Sequence, residues 1–439
     1  MFGTSGICGP VGEDVTADLA LAVGRAVGID ADRAMVGRDP RESGRLLTDA
    51  LTAGLRESGT DVFDLGLAAT PTVARAVGWY DADAGISVTA SHNPAPDNGI
   101  KLWQPSGQAF DEAARETIAR RVREDETDLQ AWDGLGDRTR TDAAERHVDA
   151  LRAAVDLDES LSVALDLGNG AGGVTVDALQ ALNCDVETLN AQPDGRFPGR
   201  PSEPTAENCG SLQALVETTD ADLGIAHDGD ADRLRAVTGA GEFLSGDVLL
   251  ALFAREAVAR STVDEPRVAV PVDTSLAVDD ALAPLGATVT HTKVGDVYVA
   301  ERATESDVVF GGEPSGAWIW PDETLCPDGP LAACRLAALA ADRPLAERAA
   351  EIETYPIRRA NVETADKEGV MERVEEWVLA AYDDVRTLDG VRADCGDAWF
   401  LVRASGTQPL VRITVEARDE ARAGDVFETV REIVADAEK

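Results

Sequence analysis

The stretch AMVGRDPRESGRLLTDALTAGLRESGTDVFDL, residues 34–65, contains the repeating unit on which the fold depends. Its first four residues predict a short strand. Residues 46–57 have the apolar spacing of an amphipathic helix, and residues 61–65 predict a second strand. A strand, a helix and a strand in this order are typical of a βαβ unit on a mainly parallel sheet.

The same alternation extends outward and then starts again. Residues 14–27 predict another helix and 86–89 another strand, and further cycles begin near residues 161 and 267. A polar stretch, residues 124–145, is expected to lead the chain out of the first domain. After residue 355 the pattern changes to helices and strands typical of an α+β domain. We therefore predict an α/β protein in which three α/β domains precede a smaller C-terminal α+β domain.

Charge and composition limit the function. The 439 residues include 81 Asp plus Glu and 40 Lys plus Arg, a net charge of −41, while 44% are hydrophobic. That apolar content excludes a disordered acidic chain, and the charge opposes nucleic-acid binding. No apolar run approaches the roughly 20 residues of a membrane span, and no signal peptide begins the chain, so we expect a soluble cytoplasmic protein. An acidic surface with only four lysines resembles proteins of salt-loving organisms.

The segment TASHNPAPDNGIK, residues 89–101, follows a strand that is predicted to be buried. Its prolines and Asn-Gly pair indicate a rigid exposed loop. The hydroxyl of Ser91 is a poor nucleophile unless it is activated or already modified, and His92 and Lys101 are nearby candidates for proton transfer. Taken alone, the segment favours a plain turn.

The segment AHDGDADR, residues 226–233, carries Asp228, Asp230 and Asp232 at alternate positions after a predicted strand. Three such carboxylates can converge on one hard cation. A calcium EF-hand is disfavoured, because that loop needs Gly sixth and Glu twelfth, where Arg233 and Gly239 stand. Three unpaired surface acids remain the alternative.

Two later segments carry groups suited to a sugar phosphate. In FGGEPSGAW, residues 310–318, Glu313 and Ser315 can bind sugar hydroxyls, although a glycine-rich turn is equally plausible. The segment LVRASGTQP, residues 401–409, offers cationic and neutral donors for a phosphate from Arg403, Ser405, Gly406 and Thr407, with Arg412 close behind.

Together and in this order, the four segments resemble the α-D-phosphohexomutase family, and in particular a halophilic archaeal member. FGTSGI (2–7), VGRDPRESG (36–44) and TKVGD (292–296) extend the resemblance over nearly the whole chain. It implies a four-domain enzyme in which each domain contributes one loop to a central cleft. The expected domains are 1–142 with the phosphoserine loop, 143–241 with the metal loop, 242–352 with the sugar loop, and 353–439 with the phosphate loop.

The resemblance also implies roles for individual residues. Ser91 is similar to the family's phosphoserine, and His92 and Lys101 match positions implicated in proton transfer. One Mg²⁺ per chain is expected between the Ser91 phosphate and Asp228, Asp230 and Asp232. The residues expected to bind a phosphosugar are Arg233, Lys293, Glu313, Ser315, Arg403, Ser405, Gly406, Thr407 and Arg412. A sugar 1,6-bisphosphate is the expected activator, and the protein is expected to be a monomer or homodimer.

The predicted activity is interconversion of a hexose 1-phosphate and 6-phosphate, of the phosphoglucomutase/phosphomannomutase type, through a 1,6-bisphosphate. The alternatives are phosphoglucosamine mutase, a non-catalytic relative and a metal-dependent phosphatase. Two departures from the family pattern bear on the choice among these activities. Cys8 stands where an Arg is usual, leaving Arg38 or Arg41 to compensate, and Ala317 stands where many members have His.

Overall fold

The computed structural model describes residue 3 and residues 6–157, 159–405 and 409–438. Within these residues the strands form four sheets, which define domains I to IV in chain order. The first three sheets are mixed and mainly parallel, and the fourth is wholly antiparallel, so the predicted fold class is confirmed. In this part of the chain no helix has both the length and the apolar character needed to cross a bilayer.

Domain I has a six-stranded sheet flanked by helices. Its strands are β1 Ile7–Pro10, β2 Arg33–Arg38, β3 Asp61–Leu67, β4 Ala84–Val88, β5 Asp97–Trp103 and β6 Arg138–Arg140. Its helices are α1 Ala17–Gly28, α2 Gly44–Glu57, α3 Thr70–Trp79 and α4 Glu112–Glu124. The strand order is β1-β5-β4-β2-β3-β6, with β5 antiparallel to both of its neighbours. The polar stretch expected to lead out of the domain first adds the edge strand β6.

The helices α1 and α2 pack unusually close together. A Cβ atom on Gly24 would lie 2.2 Å from the carbonyl oxygen of Leu51, and one on Gly54 would lie 2.2 Å from that of Leu21. Only glycine permits backbones to approach so closely. This contact fixes α2 on the sheet, and α2 begins directly after the segment that supports the Ser91 loop.

Domain II has a four-stranded sheet in the order β10-β9-β7-β8. Its strands are β7 Ser162–Asp166, β8 Asp185–Leu189, β9 Leu223–His227 and β10 Leu234–Thr238, and its helices are α5 Ala144–Ala154, α6 Gly173–Ala181 and α7 Gly210–Thr218. All five residues of β9 are buried. The acidic triplet therefore follows a strand whose position the core fixes.

Domain III repeats this plan in the order β12-β11-β13-β14. Its strands are β11 Arg267–Pro271, β12 Thr288–Thr292, β13 Val308–Gly312 and β14 Trp318–Ile319. Its helices are α8 Gly246–Arg260, α9 Leu276–Leu282, α10 Asp296–Arg302, α11 Gly329–Asp342 and α12 Leu345–Ala349, with a 3₁₀ turn at Ala283–Leu285. The predicted helix at 276–285 is thus an α-helix that ends in a 3₁₀ turn.

Domain IV has five antiparallel strands and two helices. They are β15 Ile357–Glu363, β16 Val385–Arg386, β17 Val391–Asp394, β18 Ala398–Ala404 and β19 Leu410–Ala417, with α13 Lys367–Ala381 and α14 Glu420–Ala437. The strand order is β15-β19-β18-β17-β16. The predicted phosphate loop connects β18 to β19, the two central strands.

The domains do not share their cores equally. Buried apolar residues between 151 and 352 form one cluster that spans domains II and III, whereas domain IV has a cluster of its own. Domain IV is attached to domain III through the buried carboxylate of Glu416, which accepts hydrogen bonds from the Ser275 hydroxyl at 2.5 Å and the Leu276 amide at 2.7 Å. Domain IV is therefore a separately packed body docked on domain III.

Candidate active site

The Ser91 loop follows the buried strand β4 and turns sharply. Ser91 has a φ of +48°, a left-handed conformation that few residues other than glycine adopt. Its amide donates to the Thr89 hydroxyl at 2.9 Å, and that hydroxyl donates to the Asp39 carboxylate at 2.7 Å. These bonds hold the backbone in a conformation that would otherwise be unfavourable.

The guanidinium of Arg41 supports the same loop from beneath. It is buried and donates to Asp39 and to the carbonyl oxygens of four loop residues, which are Ser91, Asn93, Pro94 and Asp97. Its donors are thus used on Asp39 and the backbone, and it does not line the cavity described below, but its charge still opposes the rise in the pKa of Cys8. That Arg41 compensates for the cation missing at Cys8 therefore stays a prediction. Arg38 does not line that cavity either.

The acidic triplet meets the Ser91 hydroxyl across the boundary between domains I and II. The Ser91 Oγ donates to Asp228 Oδ2 at 2.5 Å and lies 3.4 Å from Asp232 Oδ1. One carboxylate oxygen from each of Asp228, Asp230 and Asp232 lies within 4.8 Å of the others. The four side chains predicted to surround the metal are thus close together.

A single ammonium group neutralises part of this charge. The Nζ of Lys101 is 2.5 Å from Asp232 Oδ2 and 3.0 Å from Asp230 Oδ2. Burial opposes the charge of Lys101, but Asp230 and Asp232 outweigh it and raise its pKa well above the usual value. Burial also raises the pKa of Asp230, yet Lys101 and a hydrogen bond from Thr70 reverse this and lower it to about 2.

The single ammonium group of Lys101 does not compensate all three carboxylates of the triplet. Burial, and then the neighbouring Asp232 and Asp230, raise the pKa of Asp228 well above its usual value. Asp230 Oδ1 is buried and has no hydrogen-bond partner among the described residues. Carboxylate oxygens that converge in this way fit a hard divalent cation such as Mg²⁺.

His92 lies beside the serine but contacts it weakly. Its Nδ1 is 3.5 Å from Ser91 Oγ, at the limit for a hydrogen bond. Burial, followed by the charges of Arg233 and Lys101, lowers the pKa of His92 to about 3. The imidazole is therefore neutral near pH 7, with unprotonated ring nitrogen available.

Domain III contributes a carboxylate with an unusual environment. Glu313 follows β13 and accepts hydrogen bonds from the Gly295 amide at 2.7 Å and from the Ser315 hydroxyl at 3.3 Å. Burial and the adjacent charge of Asp296 raise the pKa of Glu313 to about 7. Asp296 ends the segment 292–296 quoted above, but no role was predicted for it, because it is one of 81 acidic residues.

Residues of the Ser91 loop, the acidic segment and the Glu313 loop line a common cavity of about 500 Å³. Of the predicted site residues, those that line it are Ser91, His92, Lys101, Asp232, Arg233, Glu313 and Ser315. Cys8 and Ala317, the two departures from the family pattern, line it as well. The volume lies within the range of sites for small organic ligands.

None of the described residues of the predicted phosphate loop lines this cavity. Arg403 is paired with Asp389 at 3.3 Å, and the Ser405 carbonyl accepts from Lys367 at 2.7 Å. Arg412 is exposed and lies directly across from Arg403 on the neighbouring strand. Lys293 is exposed too, with its Nζ 5.3 Å from the centre of the Tyr298 ring. Gly406 and Thr407 lie outside the described residues.

Two supporting residues were missed in the sequence. Thr70, at the start of α3, donates its amide to the Asp230 carbonyl at 2.9 Å and its hydroxyl to Asp230 Oδ2 at 2.6 Å. Asp389 accepts from the Val294 amide at 3.3 Å as well as from Arg403, which links the loops of domains III and IV. Only the Thr-Pro start of α3 had a local signal, and it predicts a helix start rather than a site.

Comparison with known proteins agrees with this arrangement. Profiles of the phosphoglucomutase/phosphomannomutase family match four parts of the chain: alpha/beta/alpha domain I at residues 1–128, domain II at 145–241, domain III at 245–355 and the C-terminal domain at 359–433. The fold and the site therefore define a mutase of the phosphohexomutase class. The chain belongs to the phosphoglucomutase/phosphomannomutase family, and the prediction of a phosphohexomutase enzyme is confirmed.

Individual relatives extend over the whole chain. A protein of Methanopyrus kandleri named "Probable phosphoglucosamine mutase" is 44% identical and covers 99% of this chain and 97% of its own. One of the same name from Methanosarcina acetivorans is 43% identical and covers 100% of both. A solved phosphoglucomutase/phosphomannomutase family protein from Burkholderia thailandensis is 28% identical, with a TM-score of 0.88 over 100% of this chain and 98% of that one.

A more distant solved structure supports the fold alone. It is the N-acetylphosphoglucosamine mutase of Aspergillus fumigatus in complex with GlcNAc-6P and magnesium, which has a TM-score of 0.64 at 17% identity and covers 100% of this chain and 96% of its own.

Proposed function

We propose that this protein interconverts the 6-phosphate and the 1-phosphate of glucosamine, with Ser91 as the phosphate carrier. The contact between the Ser91 hydroxyl and the acidic triplet carries the proposal: the distance to Asp228 is 2.5 Å and that to Asp232 is 3.4 Å. A plain turn would not bring a serine against three buried carboxylates. A metal-dependent phosphatase would not need Ser91 there.

Asp228, Asp230 and Asp232, with an oxygen of the Ser91 phosphate, would hold one Mg²⁺ per chain. The orphaned Asp230 Oδ1 and the high pKa of Asp228 support this assignment. When bound, the ion would neutralise negative charge on the transferring phosphoryl group.

In the first half-reaction, phosphorylated Ser91 donates its phosphoryl group to the free hydroxyl of a bound sugar monophosphate. The Oγ–P bond breaks, a bond from phosphorus to the sugar oxygen forms, and the hydroxyl proton passes to a base of the site. The product is a sugar 1,6-bisphosphate. It turns in the cleft and returns its other phosphate to Ser91, so that the carrier is restored.

The charges at the site support distinct roles for His92 and Lys101. Neutral His92 can accept the proton of the sugar hydroxyl, and a phosphate on Ser91 would raise its pKa by adding negative charge nearby. Lys101 stays protonated, so it neutralises phosphate oxygens and can return a proton to a leaving oxygen.

The remaining residues would hold the sugar phosphate. Glu313 and Ser315 would bind its hydroxyl groups, and Arg233 and Lys293 would contact it from the neighbouring loops. The loop of domain IV would bind the phosphate that is not reacting, through Arg403, Ser405, Gly406, Thr407 and Arg412. A sugar 1,6-bisphosphate would act as activator by phosphorylating Ser91 when the carrier has lost its phosphate.

Two observations favour an amino sugar. The whole-length relatives at 39–44% identity are named as phosphoglucosamine mutases. The cavity is also lined by the neighbouring acids Asp296 and Glu313, which suit the ammonium group of glucosamine. Glucose and mannose phosphates are the second candidates, because the family profiles include both activities.

The test is a coupled assay that compares glucosamine, glucose and mannose 6-phosphates with wild-type protein and the Ser91→Ala variant. We expect the highest kcat/KM for the glucosamine compound and a loss of at least about 10³-fold in the variant. Intact mass after incubation with the bisphosphate should show one phosphate on the wild type alone. A Ser91→Ala protein that keeps most of its activity would contradict the mechanism, and a preference for glucose or mannose would contradict the substrate. A wild type without turnover would indicate a non-catalytic relative.

A further inference from the structure

Domain I has a second cavity, of about 240 Å³, whose lining residues do not overlap with those of the active-site cavity. Four arginines from three elements line it: Arg38, Arg45, Arg138 and Arg140. We call these four residues the arginine cluster. The cavity also contacts Asp49 and Asp64, so its lining has two more positive than negative side chains. This excess is notable in a chain whose net charge is −41.

The two carboxylates do not satisfy all four arginines. Arg138 pairs with Asp49 and Asp64, both at 2.9 Å, and Arg140 makes a longer contact of 3.4 Å with Asp64. The Arg45 side chain is exposed and forms no ion pair or hydrogen bond with any residue in the described part of the chain. Like charges gathered without counter-charges repel each other, and a bound anion would relieve that repulsion.

The charge of Arg38 reflects this environment. Its guanidinium donates to the Asp39 carbonyl at 3.0 Å, and it is half-buried. Burial, and next the positive charge of Arg45, lower the pKa of Arg38 below its ordinary value despite the nearby acids. The guanidinium of Arg45 is therefore close enough to repel that of Arg38.

An uncharged group at the cavity also lacks a partner. Thr48 of α2 lines it and is only 3% exposed, and its Oγ1 is buried without a hydrogen-bond partner among the described residues. Solvent does not reach this oxygen, so an anion in the cavity would be held by the arginines rather than by this hydroxyl. The adjoining first turn of α2 has no acidic residue that would repel an anion.

We propose that the arginine cluster binds a doubly charged phosphate group, at a site separate from the active site. A dianion would balance the two surplus positive charges of the lining. The volume is below the roughly 300–1,000 Å³ of sites for larger organic ligands, so the site suits inorganic phosphate or the terminal phosphate of a small metabolite. Arginine is the side chain best suited to such binding, because its planar fork can hold two phosphate oxygens.

The experiment is calorimetric titration at constant ionic strength, with chloride as the reference anion. Inorganic phosphate and glycerol 3-phosphate are titrated separately, since tighter binding of one identifies the source of the phosphate group. The Arg403→Ala variant, weakened at the proposed active-site contact, should keep the cluster's binding event. The Arg45→Ala/Arg140→Ala variant should lose at least about tenfold in affinity for that event and keep its mutase kinetics.

The matched control is Arg152→Ala/Arg431→Ala, which removes the same net charge from exposed positions elsewhere and should bind phosphate as the wild type does. Should the cluster variant fail to fold, the single variant Arg45→Ala gives the decision, because the Arg45 side chain is exposed at the cavity and its loss should weaken phosphate binding several-fold. Binding unchanged by these substitutions, binding absent from the wild type, or equal binding of chloride would each overturn the proposal.

Discussion

The proposed catalytic centre, formed by Ser91, Lys101 and the acidic triplet, and Arg403 at the proposed phosphate loop of domain IV differ in how deeply they are buried and in how many partners they have. In the centre Ser91 and Lys101 are 6% and 7% exposed, and contacts from two domains fix them. In the loop Arg403 has a side chain that is 25% exposed and a single described carboxylate partner, Asp389.

The contrast follows from what each region would do. Phosphoryl transfer depends on exact charge placement, and removing one partner from buried charges leaves the others uncompensated. Docking must instead accept a phosphate from either end of the turning intermediate. A partly exposed cation whose described partner is a single carboxylate suits that task, and the predictions below test the contrast.

The largest effect is expected from Asp230→Asn in the centre. The change removes one negative charge from the proposed metal site and from the Lys101 pair, and we expect kcat to fall by about 100-fold or more. The fold should persist, because an amide oxygen can still accept from Thr70. Steady-state kinetics and circular dichroism would measure the two effects.

The matched control for this prediction is Asp220→Asn, an exposed change in the same domain, which should leave turnover unaltered. Excess chelator should abolish the activity of the wild type. Full activity under chelation would rule out the metal assignment of the triplet.

Arg403→Ala tests the docking region, where we expect a smaller effect. Loss of a charge-assisted contact worth roughly 1.5–3 kcal/mol should lower kcat/KM by at least about tenfold in both directions of the reaction. Arg431→Ala, on the exposed face of α14, is the control and should have no effect. A loss in only one direction would contradict a turning intermediate that docks both phosphates on one loop.

The difference between the regions also explains what the sequence could predict. Ser91, the acidic triplet and Glu313 were singled out because each follows a predicted strand, but their spacing alone left plain turns and unpaired acids open, and their roles came from the family resemblance. Arg41 and Thr70 were not assigned their supporting roles, because their partners lie 50 and 160 positions away, beyond any local pattern. Strand β6 was missed since its three residues, two arginines and a threonine, are all exposed and polar, with no apolar alternation.

Cys8→Arg adds a cation to the edge of the centre, and we expect a modest gain. Cys8 lines the active-site cavity, whereas Arg38 and Arg41 do not. The Sγ of Cys8 accepts a hydrogen bond from the side-chain amide of Asn93 at 3.3 Å. A hydrogen bond from an added guanidinium to a phosphate on Ser91 could raise turnover by up to about tenfold. Turnover and phosphoserine occupancy should be measured in one high-salt buffer.

Cys8→Gln is the control for this change, because it adds bulk without charge and should not raise occupancy. A clear loss of activity with Arg would show that the pocket is adapted to the thiol. An unchanged activity would mean that Arg38, Arg41 or bound cations already compensate.

The smallest effect concerns Glu313, whose pKa of about 7 lies above the ordinary 4.5 because of burial and the charge of Asp296. The folded protein therefore retains this proton up to higher pH than the unfolded chain does, and the free energy of unfolding should fall as pH rises from about 4.5 through 7. The ammonium group of a bound amino sugar would offset the unfavourable ionisation of Glu313, since it interacts favourably with the ionised carboxylate.

We therefore expect the ratio of kcat/KM for glucosamine 6-phosphate to that for glucose 6-phosphate to rise on the order of threefold between about pH 5.5 and 7. Titration of the phosphate group is common to both substrates and largely cancels in the ratio, and a sugar amine that titrates like an α-amino group, with a pKa of about 7.7–8.0, stays largely protonated up to pH 7. Glu313→Gln should make the ratio independent of pH, while Glu301→Gln, an exposed change in the same domain, should not. A ratio that is flat in the wild type would mean that Glu313 does not interact with the amino group, and the preference for an amino sugar would then have to arise elsewhere in the cleft.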